Sequence, residues 1–207
     1  MPKTVTIIML WVIHISALIG IAMGNQDFFF PKSPFTLVYL AILCVWFFPV
    51  NSVKKALLFG LCFITGMSVE WIGVHTGYLF GDYHYGVNMG WKLDGIPYLI
   101  GSNWALLSFI TYEISRKYIT QRFMIPLAGA FLMVVLDFFL EQICDVAGFW
   151  HFNNGAGWFN YICWFLIAAA LQYVLQFFKL KGDLKISLHL YSVQLIFAIV
   201  LWIIITI

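Results

Sequence analysis

Residues 56–74 read ALLFGLCFITGMSVEWIGV, an apolar run in which Glu70 is the single charged residue. The hydrocarbon core of a bilayer is about 30 Å thick, and a helix needs about 20 residues to cross it. The run therefore predicts a transmembrane helix. The composition of the whole 207-residue chain agrees, because 63% of the residues are apolar and only 10% are charged, against about 25% charged residues in soluble domains.

The same composition excludes several classes of protein. Eleven basic and nine acidic residues are too few to cover the surface of a soluble globule of this length, and a disordered chain or a coiled coil would carry far more charge. The net charge of +2 is too small for a nucleic acid or another polyanionic partner.

Seven apolar runs are long enough to span a bilayer. The first, after Lys3, loosely imitates a signal peptide with Ala22-Met23-Gly24 as its cleavage site, but it is longer than the usual apolar core of such a peptide. Alternating strands are absent from the sequence, so helices must satisfy the backbone in lipid. We predict an all-α polytopic membrane helix bundle of about seven transmembrane helices, with residues 1–207 as one integral-membrane domain. The runs cover residues 5–24, 34–50, 56–74, 96–114, 123–143, 157–178 and 187–207.

The basic residues divide unevenly between the two sides that seven spans create. One side carries nine of them and the other only Lys32 and Lys92. Because basic loops stay in the cytoplasm, we predict a cytoplasmic N-terminus. The nine are Lys3, Lys54, Lys55, Arg116, Lys117, Arg122, Lys179, Lys181 and Lys185.

Glu70 lies inside the third predicted span, and Asp137 and Glu141 lie inside the fifth. A charge at the bilayer centre costs about 2.5–3.5 kcal/mol on insertion scales, so such an acid indicates a function. The alternative is a protonated carboxyl that only hydrogen-bonds two helices together. We interpret the other acids Asp27, Glu113 and Asp183 as ordinary loop or boundary charges.

The acids of the fifth span share one helix face. Asp137, Glu141 and Asp145 are spaced four residues apart, about 6 Å per step along a helix. Two carboxyls this close in a low dielectric cannot both ionise cheaply, so one is expected to keep its proton. The arrangement predicts a proton donor inside the membrane.

A short repeat follows two of these acids. Glu70 and Glu141 both begin E-x-I and are followed, seven residues later, by Gly and an aromatic residue. If the repeat is structural, the two carboxyls face each other across a cavity. Residues 70–86 and 149–164 around them are rich in Tyr, Trp, His, Asn and Asp, and an interfacial aromatic belt explains the rings but not the polar side chains.

Other membrane chemistries fit the sequence less well. A di-iron hydroxylase needs several histidine boxes, and the five histidines, at 14, 75, 84, 151 and 189, form none. A retinal Schiff base needs a lysine in the last span, and residues 187–207 contain none. A mononuclear metal site made of Glu70, His75, Glu141 and His151 stays open as an alternative. The four cysteines are spaced singly, so we expect buried, inert thiols.

At these same residues the chain resembles the bacterial and archaeal carotenoid biosynthesis membrane family that includes bisanhydrobacterioruberin hydratase and the γ-carotene 1′-hydroxylase, which is a hydratase in its chemistry. The resemblance covers about residues 68–165. Two positions depart from the family pattern: Gln142 stands where Pro is expected, and Asp145 where no acid is expected, which makes Asp145 a poor candidate for catalysis. The resembling pieces are E-W-I-G-V-H-T-G-x-x-F-G-x-Y-x-Y from Glu70 to Tyr85, G-I-P from Gly95, Asn103-Trp104, L-D-F-F-L-E from Leu136 to Glu141, Phe149-Trp150, and N-Y-x-x-W from Asn160 to Trp164.

The resemblance implies a carotenoid hydratase that adds water to the terminal C1–C2 double bond of an acyclic ψ end group. An acid protonates the alkene, and a positioned water captures the tertiary cation, without a cofactor or metal. The Asp137/Glu141 pair would donate the proton, and Glu70 with His75 would hold and deprotonate the water. Substrate-binding candidates, some facing the cation with their rings, are Tyr78, Asp82, Tyr83, Tyr85, Asn103, Trp104, Trp150, Asn160 and Trp164.

The resemblance also implies partners and a location. The partners are a hydrophobic carotenoid, membrane lipid and other enzymes of the carotenoid pathway, but no nucleic acid. The location is the cytoplasmic (inner) membrane of a bacterium or archaeon. The distribution of the basic residues predicts that the site lies toward its extracytoplasmic half. Two other functions remain open: a proton-coupled transporter of small molecules or lipids, against which the lack of an inverted repeat counts, and a metal-dependent intramembrane hydroxylase.

Overall fold

A computed structural model describes residues 2–48 and 52–206. Within these residues seven long helices form a bundle, which confirms the predicted all-α class. The helices are α1 (Lys3–Ala22), the short α2 (Gln26–Phe29), α3 (Ser33–Phe47), α4 (Val53–Thr76), α5 (Tyr98–Tyr118), α6 (Met124–Glu141), α7 (Trp158–Phe177) and α8 (Leu184–Thr206).

Six segments among the described residues are long and apolar enough to cross a membrane: α1, the segment Gln26–Phe47, α4, α6, α7 and α8. The remaining long helix, α5, corresponds to the predicted span 96–114 but is too polar to meet the same criterion. Its residues 103–115 are all buried, because it packs against α3, α4, α6, α7 and α8. A helix enclosed by protein does not need an apolar surface, since lipid does not touch it.

One end of the bundle gathers the basic segments. Lys3 at the start of α1 pairs with Asp183 in the loop after α7, and the Lys54 amine lies 5.4 Å from the centre of the Phe178 ring. At the end of α7, the Gln176 amide donates to the Arg122 carbonyl at 2.7 Å. These contacts join the N-terminus to the loops before α4, α6 and α8, which lie two, four and six crossings along the chain. Segments separated by an even number of crossings lie on the same side of a membrane, as these do.

The interpretation of Glu113 as an ordinary boundary charge is wrong, because the structure buries its side chain fully on α5. Arg116 donates to both of its oxygens, at 2.5 and 2.6 Å, and the Gly182 N–H donates to it at 2.9 Å. The loop between α7 and α8 thus folds over the end of the central helix. A buried carboxylate is tolerated there because it is paired and hydrogen-bonded.

The opposite end of the bundle carries short strands instead of basic loops. β1 (Tyr83–Tyr85) follows α4, β2 (Lys92–Leu93) and β3 (Ile96–Pro97) pair with each other, and β4 (Trp150–Phe152) follows α6. β1 and β4 pair antiparallel, with Tyr83 opposite Phe152 and Tyr85 opposite Trp150. The loops that follow the two acidic helices are therefore joined to each other.

At two positions at this end the backbone requires glycine. Gly77 ends α4 in the left-handed conformation at φ 66°, where other residues are strained. A Cβ on Gly86 would lie 2.4 Å from the Gly148 carbonyl oxygen, so the close approach of the two loops requires glycine.

Candidate active site

Glu70 lies near the end of α4 and is only 2% exposed. Its Oε2 accepts hydrogen bonds from the hydroxyls of Tyr83 and Tyr85, at 2.5 and 2.6 Å. Its Oε1 accepts one from the Trp104 indole N–H at 2.9 Å. An ionised carboxylate can accept all three bonds, whereas a protonated one would have to donate through one of its oxygens.

The two tyrosines reach Glu70 because of the alternation of a strand. Tyr83 and Tyr85 are buried on the inner face of β1, and His84 between them points outward. Burial raises the pKa of Tyr83 and of Tyr85, and the neighbouring Glu70 carboxyl raises both further. Both phenols therefore stay neutral and act as hydrogen-bond donors.

The segment between α4 and β1 is tightly fitted to α4. A Cβ on Gly73 would lie 2.8 Å from the Tyr83 hydroxyl oxygen and 2.9 Å from a Phe80 ring carbon. Phe80 itself is buried at φ 68°, a strained conformation for a bulky residue of a kind that clusters at functional sites. Gly73 thus provides the space in which the tyrosine reaches the carboxyl.

Asp137 and Glu141, one turn apart on α6, lie across from Glu70. Asp137 is buried, and the Asn160 side-chain amide from α7 donates to Glu141 Oε1. Among the described residues, four buried oxygens in this region have no hydrogen-bond partner: Asn103 Oδ1, Asp137 Oδ2, Glu141 Oε2 and Asn160 Oδ1. Buried polar atoms are normally paired, so this set of oxygens marks a site for a polar ligand.

All four residues line one cavity of about 30 Å³, together with Glu70. Such a volume holds about two or three water molecules, since one water needs about 10–15 Å³ by this measure. We call this space the acid cavity. The repeat predicted two glutamates across a cavity, and Glu70 and Glu141 both line it.

Aromatic rings form much of the remaining wall of the acid cavity. Trp164 stacks on Trp104, with ring centres 3.9 Å apart and planes at 11°, and Phe80 packs against Trp164 at 5.9 Å. Trp150 and Phe152 of β4 close the cavity from the side of the paired strands. The cavity therefore combines carboxyls with π-electron faces, which attract a cation.

The structure brings most of the candidate residues from the sequence to this place. Trp104 contacts Glu70 directly. Nine further candidates line the acid cavity itself: Glu70, Tyr83, Tyr85, Asn103, Asp137, Glu141, Trp150, Asn160 and Trp164.

Three candidates lie elsewhere. The His75 ring stacks on Trp71 with ring centres 4.6 Å apart, and its Nε2 lies 3.3 Å from Asp94. The hydrogen bond from the Trp71 indole, together with His75, lowers the pKa of Asp94. Tyr78 is 79% exposed, and Asp82 accepts a hydrogen bond from Asn153 at 2.6 Å in the outer loops.

The structure does not bring together the four residues of the alternative metal site, Glu70, His75, Glu141 and His151. His75 is held at Asp94, and His151 pairs with the exposed Asp145 on the outer side of β4. Within the part of the chain that the structure describes, no three His, Cys, Asp or Glu side chains are grouped so as to hold a metal ion. All four cysteines are buried and free, as expected, and burial raises the pKa of Cys144 to about 12.

The sequence analysis missed a second, larger cavity of about 460 Å³ beside the acid cavity. Its wall comes from α1, the segment Gln26–Phe47, α8, the ends of α5 and α6 that lie near β1 and β4, and the adjoining loops. The sequence features that could have indicated this cavity are polar side chains in otherwise apolar spans, such as His14 and Gln194. Four residues line both cavities: Ile100, Asn103, Leu140 and Trp150.

The fold and the site together define a multi-pass membrane helix bundle with a buried acidic cavity at one end. The carotenoid biosynthesis protein family matches the chain over residues 33–207, and the chain belongs to this family. The protein therefore has a role in carotenoid biosynthesis, which is consistent with a hydrophobic carotenoid as its substrate. No curated protein and no solved structure matches the chain.

Proposed function

We propose that the protein is a cofactor-independent carotenoid hydratase, which adds water to the terminal C1–C2 double bond of an acyclic end group. One observation carries the proposal: a water-sized cavity lined by three carboxyls lies next to a chain-sized apolar cavity. Water and an alkene end are the two reactants that such a pair of spaces would bring together.

The first step is a proton transfer to carbon. The Asp137/Glu141 pair gives its proton to C2 of the substrate, the C1–C2 π bond breaks, and a tertiary cation forms at C1. The pair is treated as one acid, because two carboxyls one turn apart share their protons. Their unpartnered oxygens, Asp137 Oδ2 and Glu141 Oε2, are the atoms available for this transfer.

The second step is capture by water. Water in the acid cavity forms the C–O bond at C1, and Glu70 takes the proton that the added water loses. That proton returns to the Asp137/Glu141 pair, so the net change is the addition of one water and the site is restored. Tyr83, Tyr85 and Trp104 hold Glu70 as an acceptor by donating to both of its oxygens.

The aromatic wall has a role in the cationic intermediate. A cation over an aromatic face gains about 2 kcal/mol when it is desolvated. Trp164, held in place by its stacking on Trp104, lines the acid cavity, and Trp150 lines both the acid cavity and the larger apolar cavity. His75 lies outside the acid cavity, so Glu70 alone takes the role proposed for the two.

The charge distribution supports an orientation. The basic end of the bundle lies in the cytoplasm by the positive-inside rule, and the acid cavity lies near the end that carries β1 and β4. The site therefore faces the extracytoplasmic half of a bacterial or archaeal cytoplasmic membrane.

Isotope labelling tests the reaction. The protein is expressed in a lycopene- or γ-carotene-producing bacterium, with oxygen-18 supplied either as water or as dioxygen. Label from water in a tertiary alcohol supports a hydratase. Label from dioxygen refutes it and favours a metal-dependent hydroxylase, and proton-coupled uptake into liposomes without any product favours a transporter.

A further inference from the structure

The 460 Å³ cavity is an apolar space of the size at which proteins bind small organic ligands, about 300–1,000 Å³. We call it the chain cavity. Its wall includes Ile13, Ala17 and Ile21 of α1, Leu37 and Leu40 of α3, and Phe197 of α8. A hydrocarbon is the chemistry that this wall accepts.

Several polar side chains in the wall offer little to a polar ligand, because they already bond to their own helices. His14 Nδ1 bonds to the Leu10 carbonyl at 2.8 Å, and the Ser16 hydroxyl donates to the Ile13 carbonyl at 2.9 Å. The Gln194 amide donates to the Leu190 carbonyl at 2.7 Å.

The rim carries a charged residue that is held in the same way. The Lys32 amine donates to the Phe28 carbonyl at 2.8 Å and lies 3.2 Å from the centre of the Phe28 ring. These side chains are therefore less available to a polar ligand than the composition of the wall suggests. The unpartnered polar atoms of the wall include the Tyr39 hydroxyl and Asn103 Oδ1.

The chain cavity adjoins the acid cavity. Ile100, Leu140 and Trp150 separate the two spaces and line both of them, and the unpartnered oxygen of Asn103 lies at the same boundary. A chain that fills the larger space would therefore place its end at the carboxyls.

The two cavities differ in how they relate to the family. Every residue that lines the acid cavity lies between Glu70 and Trp164, inside the range matched by the family. Eight residues of the chain cavity, from Ile13 to Lys32, lie outside that range. The reacting groups thus lie inside the range that the family matches, whereas part of the wall around the chain lies outside it.

We propose that the chain cavity holds the isoprenoid chain of the substrate, with the reacting end at the acid cavity, and that α1 and α2 determine which chains fit. The proposal rests on the proposed hydratase function for the identity of the reacting end. The competing occupant of the same chemistry is the acyl tail of a membrane lipid.

The test measures bound polyene rather than turnover. The protein carrying Asp137→Asn is purified from lycopene-accumulating cells, so that lycopene is retained and not consumed. Lycopene per protein is read from the absorbance after detergent washing, and phospholipid per protein from mass spectrometry. Only variants that run as a single species in size-exclusion chromatography are compared.

Two substitutions fill the chain cavity from opposite walls, and one matched substitution does not. Ala17→Phe on α1 and Thr36→Phe on α3 each add a ring to the space, and each is expected to lower retained lycopene about tenfold or more, since overfilling a packed space is unfavourable. Ile15→Phe places the same ring elsewhere on α1, at a side chain that is 47% exposed. It is expected to change the amount of retained lycopene by less than about twofold.

The outcomes separate this proposal from the proposed function. Full retention in both Ala17→Phe and Thr36→Phe overturns the chain site, and so does loss of phospholipid with lycopene unchanged. If the wild-type protein makes no alcohol while Ala17→Phe still lowers retention, the hydration reaction fails and the chain site stands.

Discussion

The packing around Gly73 gives a quantitative test of how Glu70 is held. In Gly73→Ala the new Cβ would lie 2.8 Å from the Tyr83 hydroxyl oxygen and 2.9 Å from a Phe80 ring carbon, so both side chains must move. Overfilling of this kind costs about 1–3 kcal/mol. For a chain of this length, each kcal/mol lowers Tm by about 2–4 °C, so we expect a fall of about 5 °C.

Activity is expected to fall as well. The Tyr83–Glu70 bond of 2.5 Å lengthens when the hydroxyl is displaced, and hydrogen bonds to charged groups contribute about 1.5–3 kcal/mol. A loss of about 1.4 kcal/mol at the transition state corresponds to tenfold in rate. We therefore expect hydration in lycopene-producing cells to fall about tenfold or more, measured as alcohol formed per protein.

Gly60→Ala on the same helix is the matched control, because a Cβ there has no heavy atom within 4 Å. It should leave activity unchanged and gain up to about 1 kcal/mol from helix propensity. Tyr83→Phe removes the hydroxyl, one of the two groups that the new Cβ displaces. In that background Gly73→Ala should therefore lower the Tm by less. The reasoning is refuted if Gly73→Ala matches Gly60→Ala in both Tm and activity.

Four further outcomes follow from the same geometry. Asp137→Asn and Glu141→Gln should each abolish hydration without lowering Tm by more than about 4 °C; activity in both would remove the proposed acid. Tyr85→Phe should lower hydration about tenfold, since a hydrogen bond to a carboxylate is lost, and wild-type turnover would show that this bond is not used. His75→Gln should keep hydration within about twofold, because its ring lies outside the acid cavity; complete loss would return His75 to the mechanism. Glu113→Gln should destabilise the fold by about 3–5 kcal/mol by leaving Arg116 unpaired, seen as a lower unfolding temperature, and an unchanged temperature would contradict that pairing.

The spans were predictable because lipid imposes its own composition on a helix. Six of the spans have this apolar composition. The helix α5 is more polar because protein surrounds it. The burial of Glu113 was not predictable, since it depends on a loop nearly seventy positions away that places the Gly182 N–H beside it.

The acids of the site were predictable from the cost of charge in a membrane, and their partners only in part. His75 is five residues after Glu70, which places it about 140° around a helix, so helix geometry alone argued against the pair. The buried positions of Tyr83 and Tyr85 follow from the alternation of a strand, once the loop is known to contain one.

The chain cavity could hardly be predicted from the sequence. Its walls come from α1, α3 and α8, which are brought together by packing over long sequence separations. No local pattern in α1 distinguishes the cavity-facing Ala17 from residues that face lipid, because both surfaces are apolar.

Solvent deuterium tests the central claim, that a carboxyl protonates carbon before water adds. The purified protein is given lycopene in D₂O, and the alcohol is analysed by mass spectrometry and NMR. The account predicts one carbon-bound deuterium at C2 for each hydroxyl formed at C1, and no product from Asp137→Asn or Glu141→Gln. An alcohol formed without deuterium on carbon would contradict it.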